Sequence, residues 1–226
     1  MRARSTVRDL AQIAVFAALI AGLSLPGAIP IGSLGVPITL QTLGVMLAGA
    51  ILGARKGTLA VTTYVVLALI GLPILPGGRG GLAVFVGPTG GYLLGFILGA
   101  FVIGWGTARL LPRYRILPAL LVTALGGIVA IYLVGVPWTA VSVGIPVDAA
   151  ALGALAFIPG DVIKVVVTVL VAAAVHRAWP GIIEPKPWPW ATAATEADAA
   201  GGATPAAASG DAAYAPPAER DDRPSA

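Results

Sequence analysis

Six apolar runs occupy most of this chain, and any fold has to put all of them out of water. They fall at approximately Leu10–Leu25, Leu40–Ala54, Gly57–Leu72, Gly91–Leu111, Leu117–Val136 and Leu155–Ala174. Several approach the ~20 residues a helix needs to cross a bilayer. Hydrophobic side chains make up 58% of the 226 residues and charged ones 11%. That charged share is about half that of a water-soluble domain. The chain therefore reads as an all-α polytopic membrane protein, a bundle of six transmembrane helices. The second and third runs are short, and the break between them at Arg55-Lys56 is abrupt. The first is too long for a signal-peptide core and no small-residue cleavage site follows it, so it is expected to remain as a span. The Pro- and Gly-rich intervals near 26–30, 73–88 and 137–146 are weakly polar, which suits segments that fold back on the membrane or cap it.

The charges give an orientation. Arg2, Arg4 and Arg8 precede the first run; Arg55 and Lys56 follow the second; Arg109, Arg113 and Arg115 follow the fourth; Arg177 and Lys186 follow the sixth. The alternate loops offer only Arg79, offset by Asp148. Every second loop is basic, as the positive-inside rule requires of a multi-pass cell-membrane protein with both termini in the cytoplasm. This pattern also accounts for the net charge of +4 without nucleic acid. There is no cysteine, so disulfides, thiolate metal sites and cysteine nucleophiles are excluded. The lone His176, beside Arg177, reads as a helix-end charge. No second ligand stands at metal spacing from it, and neither a metal nor a cofactor is expected.

Two parts are expected: a membrane domain over residues 1–183, then an Ala/Pro-rich cytoplasmic tail over 184–226. The tail has no periodic apolar face to offset the entropy of ordering and is expected to be disordered. Trp188 and Trp190 within it suit the headgroup level.

Inside the last apolar run stand two charges, Asp161 and Lys164. Each costs roughly 2.5–3.5 kcal/mol at the bilayer centre on insertion scales. At i, i+3 they share one helix face, which is expected to look into the protein and to hold a polar ligand; a purely structural bridge is the alternative. Gln41, at the start of the second run, suits either a ligand contact or a water-facing helix end. The glycine-rich loop 77–81, with Gly78 and Arg79, could close over a ligand. It lacks the Gly-Lys-Ser/Thr ending of a phosphate loop, so nucleotide hydrolysis is not expected of this chain. Thr89 is placed to cap the fourth helix. Tyr92, one turn in, fits an interfacial anchor as well as a ligand contact. In the first run Ala14, Ala18 and Gly22 recur every four residues, small enough for another helix to approach closely. That spacing favours packing inside this chain over a surface for a partner.

Taken together, Val36-Pro37-Ile38-Thr39-Leu40-Gln41-Thr42, the Gly77–Gly81 loop, Gly87-Pro88-Thr89-Gly90-Gly91-Tyr92-Leu93-Leu94-Gly95-Phe96 and Pro159-Gly160-Asp161-Val162-Ile163-Lys164 resemble the BioY family, over roughly Val7 to Ala178. These are the biotin-binding substrate (S) components of energy-coupling-factor (ECF) transporters. The resemblance implies a six-helix bundle that captures biotin on its outward face and catalyses no covalent reaction. It also implies partners: a transmembrane coupling subunit and two cytoplasmic ATPases, with the Ala14, Ala18 and Gly22 stripe resembling the coupling surface. The ligand's chemistry agrees with the residues. A carboxylate accepts from the ureido N–H groups of biotin, while an ammonium donates to the ureido oxygen or pairs with the valerate. Asp161 and Lys164 are accordingly expected to hold the polar head, with Tyr92 and Gln41 assisting. Gly78 and Arg79 belong to the closing loop, Arg79 within reach of the valerate. The alternatives are an S component for another small vitamin, and an intramembrane enzyme using Asp161 as acid or base.

Overall fold

The computed structural model describes residues 2–25, 29–30 and 37–186. The tail from residue 187 onward, including Trp188 and Trp190, lies outside them, as does Val36 of the first motif. Helix α1 (Arg2–Ser24) is followed by a short antiparallel ladder of β1 (Ile29–Pro30) on β2 (Pro37–Ile38), then by α2 (Gln41–Leu69). After the small α3 (Leu82–Val86) comes α4 (Gly90–Leu110). Helix α5 (Ile116–Ala124) passes through a π-helical turn (Leu125–Ala130) into α6 (Ile131–Val143). Helix α7 (Val147–Ala154) and a 3₁₀ turn (Leu155–Phe157) lead into α8 (Ile158–Ala178). Helix is what apolar runs in lipid require, because it satisfies every backbone donor and acceptor within the segment.

Five helical stretches are long and apolar enough to cross a membrane: Val7–Ser24, Gln41–Leu69, Gly90–Leu110, Ile116–Val143 and Val147–Ala178. The six expected runs reconcile with five because α2 is folded in two. Gly53 sits at φ 80°, ψ 179°, far from helical values. Residues on either side of it then run back along each other: Gln41 Nε2 lies 2.8 Å from the Tyr64 hydroxyl. In a straight helix that separation would be about 34 Å. Gln41–Leu69 is thus a helical hairpin with limbs over 41–52 and 54–69, and the break falls at Gly53 rather than at Arg55-Lys56. Glycine reaches that φ without strain, so backbone conformation sets the turn and the charged pair follows it.

The hairpin is the centre of the bundle: α1 and α4 pack on it, α6 packs on α4, and α8 lies against α2 and α5. Its turn is clasped from two sides. A Cβ on Gly104 of α4 would stand 2.3 Å from the Ala54 nitrogen, so α4 touches the turn backbone itself. From α8, His176 Nε2 lies 2.9 Å from the carbonyl of Ala50, a group the non-helical Gly53 interrupts in its ladder. A carbonyl only accepts, so Nε2 carries the proton. His176 is buried in the last turn of α8, and the reading of it as a helix-end charge is corrected: its ring caps the hairpin. Tyr114 packs on that ring at 5.4 Å, and burial pushes its phenol up to about 12.

The basic segments gather at the same end of the bundle as this turn. Lys56 pairs with Asp9 at 3.3 Å and donates to Gln12 at 2.8 Å. Arg8 lies 4.9 Å over the Trp179 ring, and the Lys186 amide donates to the Ala108 carbonyl at 2.9 Å. The loops that alternate in charge along the sequence therefore do separate in space, with the basic set at one end.

Helix α1 shows which of its faces the bundle uses. Ala17, Ile20 and Ser24 are buried, whereas Ala14, Ala18 and Gly22 are exposed, and nothing lies within 4 Å of a Cβ built on Gly22. The small-residue stripe faces outward. Among the described residues it is not a packing face.

Candidate functional site

Opposite the basic end, the starts of α2, α4 and α8 converge beneath the loop that joins α2 to α3. They enclose a cavity with an empty volume of about 630 Å³, part of it open to solvent. Its wall is chiefly apolar and aromatic, including Leu75, Leu93, Phe96, Ile131 and Phe157, with a few polar groups set among them.

Asp161 lies in the first turn of α8, where the helix dipole favours a carboxylate, and Pro159 in the same turn has no backbone N–H to leave unpaired. It is 3% exposed and Lys164 8%, so the pair is withdrawn from lipid and from bulk water. Lys164 Nζ is 2.8 Å from Asp161 Oδ1 and 2.8 Å from Thr42 Oγ1. Thr42 Oγ1 in turn lies 3.3 Å from Oδ1. The other carboxylate oxygen accepts a short hydrogen bond from the Tyr132 hydroxyl. Thus three helices hold the acid in place. Capacity remains for a ligand, since an ammonium has a third N–H and a carboxylate has lone-pair sites beyond those engaged.

Of the residues singled out in the sequence, Asp161, Lys164, Tyr92, Gln41 and Arg79 all reach the cavity wall. Tyr92 is buried there, with its ring edge-on to Tyr132 at 6.1 Å. Gln41 is buried, which removes the water-facing reading of its amide. Arg79 is exposed at the mouth, its Nε held by the Pro76 carbonyl at 3.1 Å. Gly78 is not part of the wall. It sits at φ 68° and its amide closes a turn on the Leu75 carbonyl at 2.9 Å, so it shapes the loop whose neighbours Pro76 and Arg79 reach the cavity.

The link between α3 and α4 is tied down from α6. Trp138 Nε1 donates to the Gly87 carbonyl at 3.0 Å, and Thr139 Oγ1 to the Pro88 carbonyl at 2.9 Å. These two bonds explain the Gly-Pro-Thr-Gly-Gly motif: a Cβ on Gly91 would fall 2.2 Å from Trp138 Cβ, so the motif lets α6 come close enough to make them. Thr89 makes no side-chain cap. Its hydroxyl is used on the Val84 carbonyl at 3.3 Å, holding α3 to the start of α4.

Thr42 and Tyr132 were missed in the sequence. Thr42 adjoins Gln41, and a polar pair opening an apolar run was the available signal. Tyr132 is one phenol in a long apolar run. The π-helical turn just before α6 adds a residue to the turn and re-phases the helix ahead of Ile131 and Tyr132, both in the wall. Hydropathy carries no trace of that turn.

A profile of the BioY family matches residues 1–181. The chain is 46% identical over 180 residues to a Rhizobium etli protein named biotin transporter BioY, covering 77% of this chain and 96% of that one. To a Rhodobacter capsulatus protein of the same name it is 48% identical over 185 residues, covering 78% of this chain and 97% of the other. Among solved structures it is similar to the S-component for biotin from an ECF-type ABC transporter, with TM-score 0.75, 37% identity, 78% of this chain and 95% of that one.

Proposed function

We propose, on the premise that this chain belongs to the BioY family, that it binds biotin as the substrate component of an ECF-type uptake system in the cell membrane. The observation that carries the reading is the Asp161–Lys164 pair, buried yet open to an apolar cavity. Biotin has a matching shape of chemistry: a ureido head with donors and an acceptor, an apolar ring, and a carboxylate on a flexible chain. The head meets Asp161, Lys164 and Gln41; Tyr92, Phe96 and Phe157 flank the ring; Arg79 at the mouth receives the valerate. Transport requires the ligand to be held and released unchanged, and the named relatives are transporters, so no reaction is assigned to Asp161.

Both termini and the basic end lie on the cytoplasmic side in this reading, and the cavity opens outward. The residues beyond the membrane domain, 184–226, are assigned no part in ligand capture. Energy comes from a coupling subunit and two ATPases, and the outward stripe of Ala14, Ala18 and Gly22 is the surface proposed to meet the coupling subunit. Ala18→Leu adds bulk to that stripe without adding a polar group to a lipid-facing position. Biotin affinity is expected to stay within about twofold while copurification with the ATPases and energised uptake are lost. Uptake at the unsubstituted rate would remove the stripe from the coupling surface.

Calorimetry on the purified full chain tests the ligand. Saturable heat with biotin, and none with riboflavin or thiamine, is the expected result. Saturation by one of the other two and not by biotin would transfer the site to another vitamin.

A further inference from the structure

Tyr64 is fully enclosed and does not line the cavity, yet its hydroxyl joins three elements. Gln41 Nε2 is 2.8 Å away at the start of α2, Ser24 Oγ is 2.7 Å away at the end of α1, and the Ile74 carbonyl of the covering loop is 3.3 Å away. Valence limits the proton donations. Ser24 Oγ gives its single proton to the Ile20 carbonyl at 3.1 Å, which can only accept. The single phenolic proton of Tyr64 is then shared between two acceptors, Ser24 Oγ and the Ile74 carbonyl. The phenol oxygen is left to accept, and the group facing it on the third side is the Gln41 amide. The bonds run one way through Tyr64: its oxygen accepts from the Gln41 N–H, and its proton goes on to Ser24 or to the Ile74 carbonyl.

This one-way chain decides a matter that geometry alone leaves open, which end of a glutamine amide points where. With the Tyr64 proton drawn to Ser24 and the Ile74 carbonyl, the NH₂ end of Gln41 is the end that satisfies the Tyr64 oxygen. The carbonyl end, Oε1, has no hydrogen-bond partner among the described residues, and Gln41 belongs to the cavity wall. An unpaired acceptor on a residue of the cavity wall is matched by a ligand N–H. A flipped amide would instead set a donor against the ligand's donor, and the Tyr64 oxygen would face Oε1.

We infer that Tyr64 is a positioning residue for ligand selection: by holding Nε2 of Gln41 it makes Gln41 present an acceptor to the cavity. This deepens the proposed function and rests on it, the ligand's ureido N–H being the donor selected. Chains of hydrogen bonds polarise one another, so Ser24, outside the wall, contributes to the same preference.

The test is a double-mutant cycle on the full chain in lipid nanodiscs, with biotin affinity read by calorimetry and folding by the thermal midpoint. Tyr64→Phe keeps the ring and removes the junction; it is expected to weaken biotin roughly fivefold, the weight of one neutral hydrogen bond. Ser24→Ala removes one of the two acceptors that draw the Tyr64 proton away from Gln41, leaving the Ile74 carbonyl, and is expected to weaken biotin in the same direction by a smaller factor. In a Gln41→Ala background, both substitutions are expected to leave the remaining affinity unchanged. A merely structural role moves the thermal midpoint and lowers affinity equally in both backgrounds, and that result overturns the inference, as does full affinity in both single variants. If Tyr64→Phe does not fold, Ser24→Ala carries the cycle alone. Failure of the unsubstituted chain to bind biotin would remove the proposed function, and this inference with it; failure of the cycle alone leaves the function standing.

Discussion

Lys164→Ala and Asp161→Asn are each expected to weaken biotin binding at least tenfold, about 1.4 kcal/mol or more. Two effects add. The ligand loses a charge-assisted partner, worth roughly twice a neutral hydrogen bond. The group left behind is buried without its counter-charge: Lys164 at 8% exposure after Asp161→Asn, or Asp161 at 3% after Lys164→Ala. Breaking a buried pair from one side destabilises by about 3–5 kcal/mol in general, so a fall in thermal midpoint is expected as well. The two causes separate in the double variant Asp161→Asn with Lys164→Gln. It removes both charges together and so recovers much of the stability. A pair that served the fold alone would regain binding with stability. The site reading expects the double variant to melt nearer the unsubstituted protein and still to bind at least tenfold more weakly. Binding restored along with stability would return the pair to a structural role.

A second large effect is expected far from the cavity. Gly104→Val puts a branched side chain where a Cβ alone would stand 2.3 Å from the Ala54 nitrogen and 2.4 Å from the Gly53 carbonyl carbon. Both are backbone atoms of the hairpin turn, and neither can rotate away as a side-chain tip could. Helix α4 must then leave the hairpin on which α1 and α8 also rest. The expected outcome is a protein that is extracted poorly or elutes as aggregate in size-exclusion chromatography. Gly22→Val, on the open face of α1 with nothing within 4 Å, serves as the control and is expected to elute normally. A monodisperse Gly104→Val protein with unchanged thermal midpoint would mean that the close approach of α4 to the turn does not hold the bundle together.

The parts of this molecule legible in the sequence are those with a large cost of misplacement. Apolar runs near the length of a bilayer crossing have few places to go, and the six runs survive as α1, two limbs of α2, α4, the Ile116–Val143 stretch and α8. Asp161 and Lys164 stood out because a charge in an apolar run has to face inward. Gln41 stood out for the same reason in weaker form. What escaped notice is what costs little in isolation. Thr42 and Tyr132 are ordinary residues of membrane helices and acquire a role only by meeting Asp161 from 119 and 29 residues away. His176 looked like a helix-end charge because the carbonyl it caps belongs to a different helix, 126 residues earlier. The hairpin break was placed beside Arg55-Lys56 because charge is conspicuous, whereas the turn is made by the positive φ of Gly53. The Ala14, Ala18 and Gly22 stripe had the right spacing for close contact, but spacing does not say whether the contacting helix is one's own. Only the bundle, by burying Ala17, Ile20 and Ser24, turns the stripe outward.

A structure of the chain with biotin bound tests the central claim most directly. The account predicts the ureido ring in the cavity within hydrogen-bonding distance of the Asp161 carboxylate and the Lys164 ammonium, with Gln41 alongside and the loop carrying Arg79 over the valerate. Biotin bound elsewhere, with the Asp161–Lys164 bridge still facing an empty cavity, would contradict it.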